Sequence, residues 1–193
     1  MPLLAKHGVE TLDGRALALD LKKTEKLPMF PRSGFHWNYY SSFRATQALA
    51  SRLEGLTGKK LNHLKLDRVD LESKPRGTDG DLSFHAYLWW PSVFYRSYPY
   101  PVASKEPVPG AVVPNVLLIG DSFLTLPRHW LVDFGIASEA SEHNWYFQAK
   151  IEDPERGIFG RDVVILGMNE GLMGGRGYGL IETVLTGKYQ THR

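Results

Sequence analysis

The stretch Asn115–Phe123, NVLLIGDSF, decides how the rest of the chain is read. Its apolar residues Val116 to Ile119 run without a break to Gly120, and the chain then turns through Asp121 and Ser122. An uninterrupted apolar run stopped by a glycine is the pattern of a parallel strand buried on both faces. Open α/β folds bind their ligands at the carboxyl ends of such strands, so Ser122 stands at a nucleophile's address. The residues after it suit a helix, whose N-terminus would offer a backbone N–H to a developing oxyanion. The same tripeptide also suits a plain turn in which Asp121 or Ser122 caps a helix.

Outward from this point, Asn144–Lys150 and Asp162–Gly167 read as two further strands, and Tyr178–Leu185 as a short closing helix. Upstream, Phe43, Ala45, Leu49, Ala50 and Leu53 recur at helical spacing between Tyr39 and Leu56, with Gly55 and Gly58 near the end. Leu64–Leu71 alternates as a strand does, Asp13–Lys23 is compatible with a helix, and Asp81–Trp90 suits a short helix with an aromatic face. The opening LLAKHGVETLD reads as the last turn of a helix stopped by Gly8, followed by a short strand, Val9–Leu12. A domain rarely begins on the end of a helix, so a preceding strand and most of a helix are expected to be missing. The proline-rich span Pro91–Pro114 is expected to be a long surface loop with an edge strand near Tyr95. Strands alternating with helices predict an α/β three-layer fold.

The chain of 193 residues, 42% of them hydrophobic, can bury one sizeable core, so a single domain over residues 1–193 is expected. A net charge of +2 gives no basic stripe for phosphate backbones, which argues against a nucleic-acid partner. The absence of cysteine removes disulfides, thiolate metal sites and a cysteine nucleophile together. No apolar run reaches the ~20 residues of a membrane span, and residues 1–9 lack the pattern of a signal peptide. No spacing of histidines and carboxylates defines a metal site, and no cofactor is implied.

A serine hydroxyl is a weak nucleophile without a base. Of the seven histidines, His36 is distinguished by its setting, a glycine-bearing loop, FPRSGFHWN, just before a helix start, with Trp37 beside it. Asn169 follows a strand ending at Gly167, where its side-chain amide would serve an oxyanion; alternatively it caps a turn. Gly135 would let a substrate approach its N–H closely, or is a plain turn glycine. The aromatic stretch from Tyr87 through Trp89, Trp90, Phe94, Tyr95 and Tyr98 to Tyr100 suits either stacking on sugar rings or core packing.

Taken together, Gly120-Asp121-Ser122, Gly135, Gly167-Met168-Asn169 and His36 resemble the four sequence blocks of the SGNH hydrolases. Glu170 stands where the asparagine block ends in Asp. The family's histidine block comes last in the chain, whereas here FHWN precedes the serine. That order resembles the circularly permuted SGNH hydrolase-like domain of the alginate O-acetyltransferase (AlgX/AlgJ) type, over nearly the whole chain. The resemblance implies a flavodoxin-like αβα fold with a mostly parallel sheet, Ser122 as nucleophile, His36 as base, and Ser122, Gly135 and Asn169 around the oxyanion. It further implies an exported polysaccharide substrate, held by residues such as Trp37, Trp89 and Trp90, and a periplasmic or other extracytoplasmic location. The acetyl donor would be passed on by a membrane acyltransferase.

One departure bears on mechanism. In the alginate enzymes an Asp stands two residues before the histidine, and here that position is Gly34. Asp79, Asp81, Glu170 or a backbone carbonyl would have to orient His36, or His36 would work in a dyad. The alternatives on function are therefore an acetyltransferase or acetylesterase working through an acetyl-serine, and a weak or inactive polysaccharide-binding or assembly subunit.

Overall fold

The apolar run Val116–Ile119 lies at the centre of a parallel sheet in the computed structural model of the chain, which describes residues 6, 8–82, 97–144, 160–167 and 169. The chain divides into two compact units, Met1–Val112 and Val113–Arg193.

In the first unit, α1 (Gly14–Thr24) starts at Asp13, whose carboxylate accepts the Ala16 N–H at 2.9 Å. Helix α2 (Tyr39–Thr57) starts at Asn38, whose side chain accepts the Ser41 N–H at 2.8 Å, and ends at Gly58 with φ +65°. A left-handed residue there suits glycine, and its N–H closes the last turn on the Glu54 carbonyl at 2.9 Å. Of the apolar stripe read from the sequence, Phe43, Ala45, Ala50 and Leu53 are buried and Leu49 is half-buried.

Strands β1 (His63–Glu72) and β2 (Tyr98–Glu106) form an antiparallel pair, joined by a 3₁₀ turn at Gly77–Gly80 and residues that include the undescribed 83–96. Strand β2 corrects the expected surface loop over Pro91–Pro114. In a two-stranded sheet each strand keeps one unpaired edge, and prolines two residues apart present the same edge. Pro99 and Pro101, opposite Leu71 and Val69, fit this rule, and the interleaved Tyr98 and Tyr100 bury their rings. The expected strand Val9–Leu12 is likewise corrected: those residues join no sheet. The expected helix Asp81–Trp90 and the strand near Tyr95 lie largely outside the described residues.

In the second unit, β3 (Asn115–Gly120) is flanked by β4 (Glu139–Asn144) and β5 (Val163–Gly167), both parallel to it. The four side chains Val116–Ile119 are completely buried, each stabilising the fold by about 1.5–3 kcal/mol. A 3₁₀ turn, Ser122–Leu124, leads into α3 (Thr125–Asp133). Strand β4 shares only Asn144 with the expected strand Asn144–Lys150, whose remaining residues lie outside the described ones. The β4 segment, EASEHN, carries no apolar signature, and backbone pairing with β3 places it in the sheet. Residues 145–150 and the expected helix Tyr178–Leu185 lie outside the described residues.

The described elements make a mixed α/β structure with small sheets, three strands parallel and two antiparallel. No helix among them is long and apolar enough to cross a membrane.

Gly120 and Gly167 pair across β3 and β5. A Cβ on Gly120 would lie 2.0 Å from the Gly167 carbonyl oxygen, and one on Gly167 would lie 2.7 Å from the Leu124 side chain. Gly120→Ala is therefore expected to destabilise the chain by about 2 kcal/mol or more. Gly55→Ala, in α2 with open space around it, is expected to be neutral or stabilising by up to about 1 kcal/mol. Urea denaturation of the two variants beside the parent checks this contrast.

Candidate active site

The loop carrying His36 is stapled to the start of α2. The Asn38 side-chain amide donates to the Pro28 carbonyl at 2.6 Å, its backbone N–H donates to the Met29 carbonyl at 3.3 Å, and the Ser41 hydroxyl donates to that same carbonyl. Met29 and Asn38 are fully buried, so the loop is rigid although it has no regular structure.

A second segment, the 3₁₀ turn Gly77–Gly80 with Asp81 after it, is laced to that loop. The Ser33 hydroxyl donates to the Asp79 carbonyl at 2.7 Å and lies 2.7 Å from the Tyr98 hydroxyl. One Asp81 carboxylate oxygen accepts the Phe35 N–H at 3.0 Å, and the other meets Nδ1 of His36. A carboxylate at Nδ1 holds the proton on that nitrogen, which makes Nε2 the unprotonated nitrogen of a neutral ring. His36 is 7% exposed, and the Phe35 ring lies against its imidazole with centroids 4.1 Å apart. Of the three carboxylates considered for orienting His36, Asp81 bonds it, Asp79 makes no well-formed hydrogen bond through its carboxyl oxygens, and Glu170 lies outside the described residues.

In the second unit, Ser122 opens the 3₁₀ turn that follows β3, as the sequence suggested. Asp121 is 3% exposed and works on two segments: one carboxylate oxygen accepts the Phe123 N–H at 2.9 Å, the other the Asn169 N–H at 2.6 Å. The first bond is the capping role read from the sequence. The second, which fixes Asn169 beside the end of β3, had no local signal, because its partner is 48 residues away. Gly135 has φ +61°, and its N–H donates to the Val132 carbonyl at 3.0 Å in the turn after α3. That N–H reaches an oxyanion only by giving up this bond.

Trp37 is half-buried, and Trp89 and Trp90 lie outside the described residues. His63 is occupied by Glu54 at 3.3 Å, and His129 is exposed on α3. Among the described residues no group of three or more His, Asp or Glu is placed to hold a metal ion.

No protein-family model matches the sequence, and no curated protein does. Among solved structures, the O-acetyltransferase domain of Pseudomonas putida AlgJ aligns with 86% of this chain at TM-score 0.52 and 17% identity. Pseudomonas aeruginosa AlgX aligns with 86% of it at TM-score 0.52 and 18% identity. The chain resembles the AlgJ and AlgX domains in fold. It spans 61% of the length of the AlgJ chain and 41% of that of AlgX.

The carboxylate that meets His36 comes from position 81, and position 34 is a glycine. A Cβ at Gly34 would lie 2.5 Å from the Thr78 carbonyl oxygen and 3.0 Å from an Asp81 carboxylate oxygen. The glycine is the space into which the turn carrying Asp81 packs.

Asp79 is completely buried, and neither of its carboxyl oxygens makes a well-formed hydrogen bond. Burial pushes its carboxyl up to about 6; the Tyr100 hydroxyl partly offsets this, and the Asp81 charge adds to it. A carboxyl raised from 3.8 to about 6 by folding favours the folded state fully below the lower value, and that contribution is lost as pH rises through about 6. Asp79→Asn, which does not titrate, is therefore expected to gain stability relative to the parent between pH 4 and pH 8, by on the order of 2 kcal/mol. Thermal midpoints of both proteins at the two pH values check this, and a constant difference would remove Asp79 as the cause.

Proposed function

We propose that the chain is a serine-dependent O-acetyl transfer domain acting on a polysaccharide, with Ser122 as nucleophile, His36 as base and Asp81 as the orienting acid. The observation that carries this reading is the Asp81 carboxylate on Nδ1 of His36, the arrangement that prepares an imidazole to take a hydroxyl proton. Likeness in fold to AlgJ and AlgX supports the finer assignment of a circularly permuted, three-layer SGNH-type domain.

In the proposed reaction, Nε2 of His36 takes the Ser122 proton as the hydroxyl attacks an acetyl carbonyl. Asp81 stabilises the imidazolium that forms. The Ser122 N–H and the Asn169 side-chain amide receive the negative charge on the carbonyl oxygen, a contribution of about 3–4 kcal/mol for a single well-placed donor. Gly135 joins them if its turn bond is released. The tetrahedral state collapses to an acetyl-serine as the bond to the donor's oxygen breaks, and that oxygen takes the proton from His36 and leaves as the alcohol. A sugar hydroxyl, or water in an esterase, then attacks by the reverse route. The acetyl donor is delivered by a membrane acyltransferase, and the site of action is extracytoplasmic. Trp37, Trp89 and Trp90 are proposed to contact the sugar.

The competing reading, a non-catalytic polysaccharide-binding or assembly subunit, drew on the missing carboxylate at Gly34. Asp81 at Nδ1 supports the enzymatic reading over it.

Hydrolysis of 4-nitrophenyl acetate by the parent, Ser122→Ala and Asp81→Asn, with folding followed by circular dichroism, tests the proposal. Ser122→Ala is expected to abolish turnover above background. Asp81→Asn is expected to lower kcat by roughly two to four orders of magnitude while the fold persists. Equal rates in parent and Ser122→Ala would sink the enzymatic reading.

A further inference from the structure

Phe35 is an aromatic side chain left 52% exposed, in a loop whose neighbours Ser33, Gly34, His36 and Asn38 are buried. Single exposed apolar residues are ordinary on protein surfaces, but three features separate this one. Its ring lies against the His36 imidazole, with centroids 4.1 Å apart and planes tilted by 36°. Its backbone N–H is held at 3.0 Å by the carboxylate that also binds His36, so ring and base share one anchor. Two more exposed apolar side chains, Phe30 and Leu82, lie on the same two segments that carry His36 and Asp81.

We propose that Phe35 is a substrate-binding platform on which the apolar face of a pyranose ring stacks, setting the acetylated sugar beside His36. The assignment rests on the acetyl-transfer reading above for what reacts at His36, and adds which part of the substrate this chain grips. A rigid aromatic face loses little side-chain entropy on binding and offers the axial C–H groups of a sugar a flat, electron-rich partner. Sugar hydroxyls at the ring edge keep their water or find polar partners. Substrates lacking a ring gain nothing from this face.

The test compares two acetyl esters, glycerol triacetate, which has no ring, and methyl tetra-O-acetyl-glucopyranoside, on the parent, Phe35→Leu and Phe35→Trp. Leucine keeps an apolar contact with His36 but has no flat face; tryptophan enlarges that face. Phe35→Leu is expected to raise KM for the pyranoside about three- to tenfold more than it raises KM for glycerol triacetate. Phe35→Trp is expected to keep or lower KM for the pyranoside. Equal losses on both esters would mean that Phe35 acts through His36 packing alone, and unchanged KM for the pyranoside would mean that the ring is not used; either overturns the platform. If the parent hydrolyses neither ester, the acetyl-transfer reading fails by itself. The platform is then read from titrations of cellohexaose into the three proteins by NMR, where affinity in the order Trp, Phe, Leu supports it and equal or absent binding overturns it.

Discussion

The bond between the Asp81 carboxylate and the loop Phe35–His36 is the interaction on which the placement of His36 in the first unit depends. It joins two irregular segments that lie 45 residues apart in the chain, and it meets a side-chain nitrogen and a backbone N–H with separate oxygens. A carboxylate used in this way fixes a ring's position and its tautomer together. Ser33, reaching the Asp79 carbonyl, and Gly34, lying against the Thr78 carbonyl, tighten the same seam without contributing charge.

The second unit repeats the device with Asp121. Its two oxygens take the N–H of Phe123, at the turn after β3, and the N–H of Asn169, just beyond β5. The close pairing of Gly120 with Gly167, under Leu124, brings those two strand ends near enough for one carboxylate to span them. A buried carboxylate is tolerated when its lone pairs are met by fixed donors, and here the donors are backbone N–H groups of two separate segments.

Asp79 shows the contrary case. It lies two residues from Asp81 on the same turn and is completely buried, yet its oxygens lack well-formed partners and its carboxyl is pushed up by burial. The turn thus carries one acid engaged by donors and a second held closer to neutrality. Tyr39, whose hydroxyl sits near Gly77, is also pushed up, first by burial and then by the Asp79 charge.

The sequence by itself determined the elements whose signals are local: the buried strand ending at Gly120, the helix from Tyr39 with its Gly58 stop, the strand ending at Gly167, and the setting of Ser122 and His36. Apolar periodicity, caps and glycine stops are written within a few residues, so they can be read there. Tertiary structure alone decided the rest. Strand β2 runs through Pro99 and Pro101 because, among the described residues, only one of its edges is paired, and β4 carries no apolar pattern because backbone pairing places it. The choice of Asp81 over Asp79 as the partner of His36 was equally invisible in TDGD, where the two acids are chemically identical. What separates them is which way a tight turn points each carboxyl, and that turn comes close to His36's loop where position 34, 45 or more residues away from both acids, is a glycine with no side chain in its way.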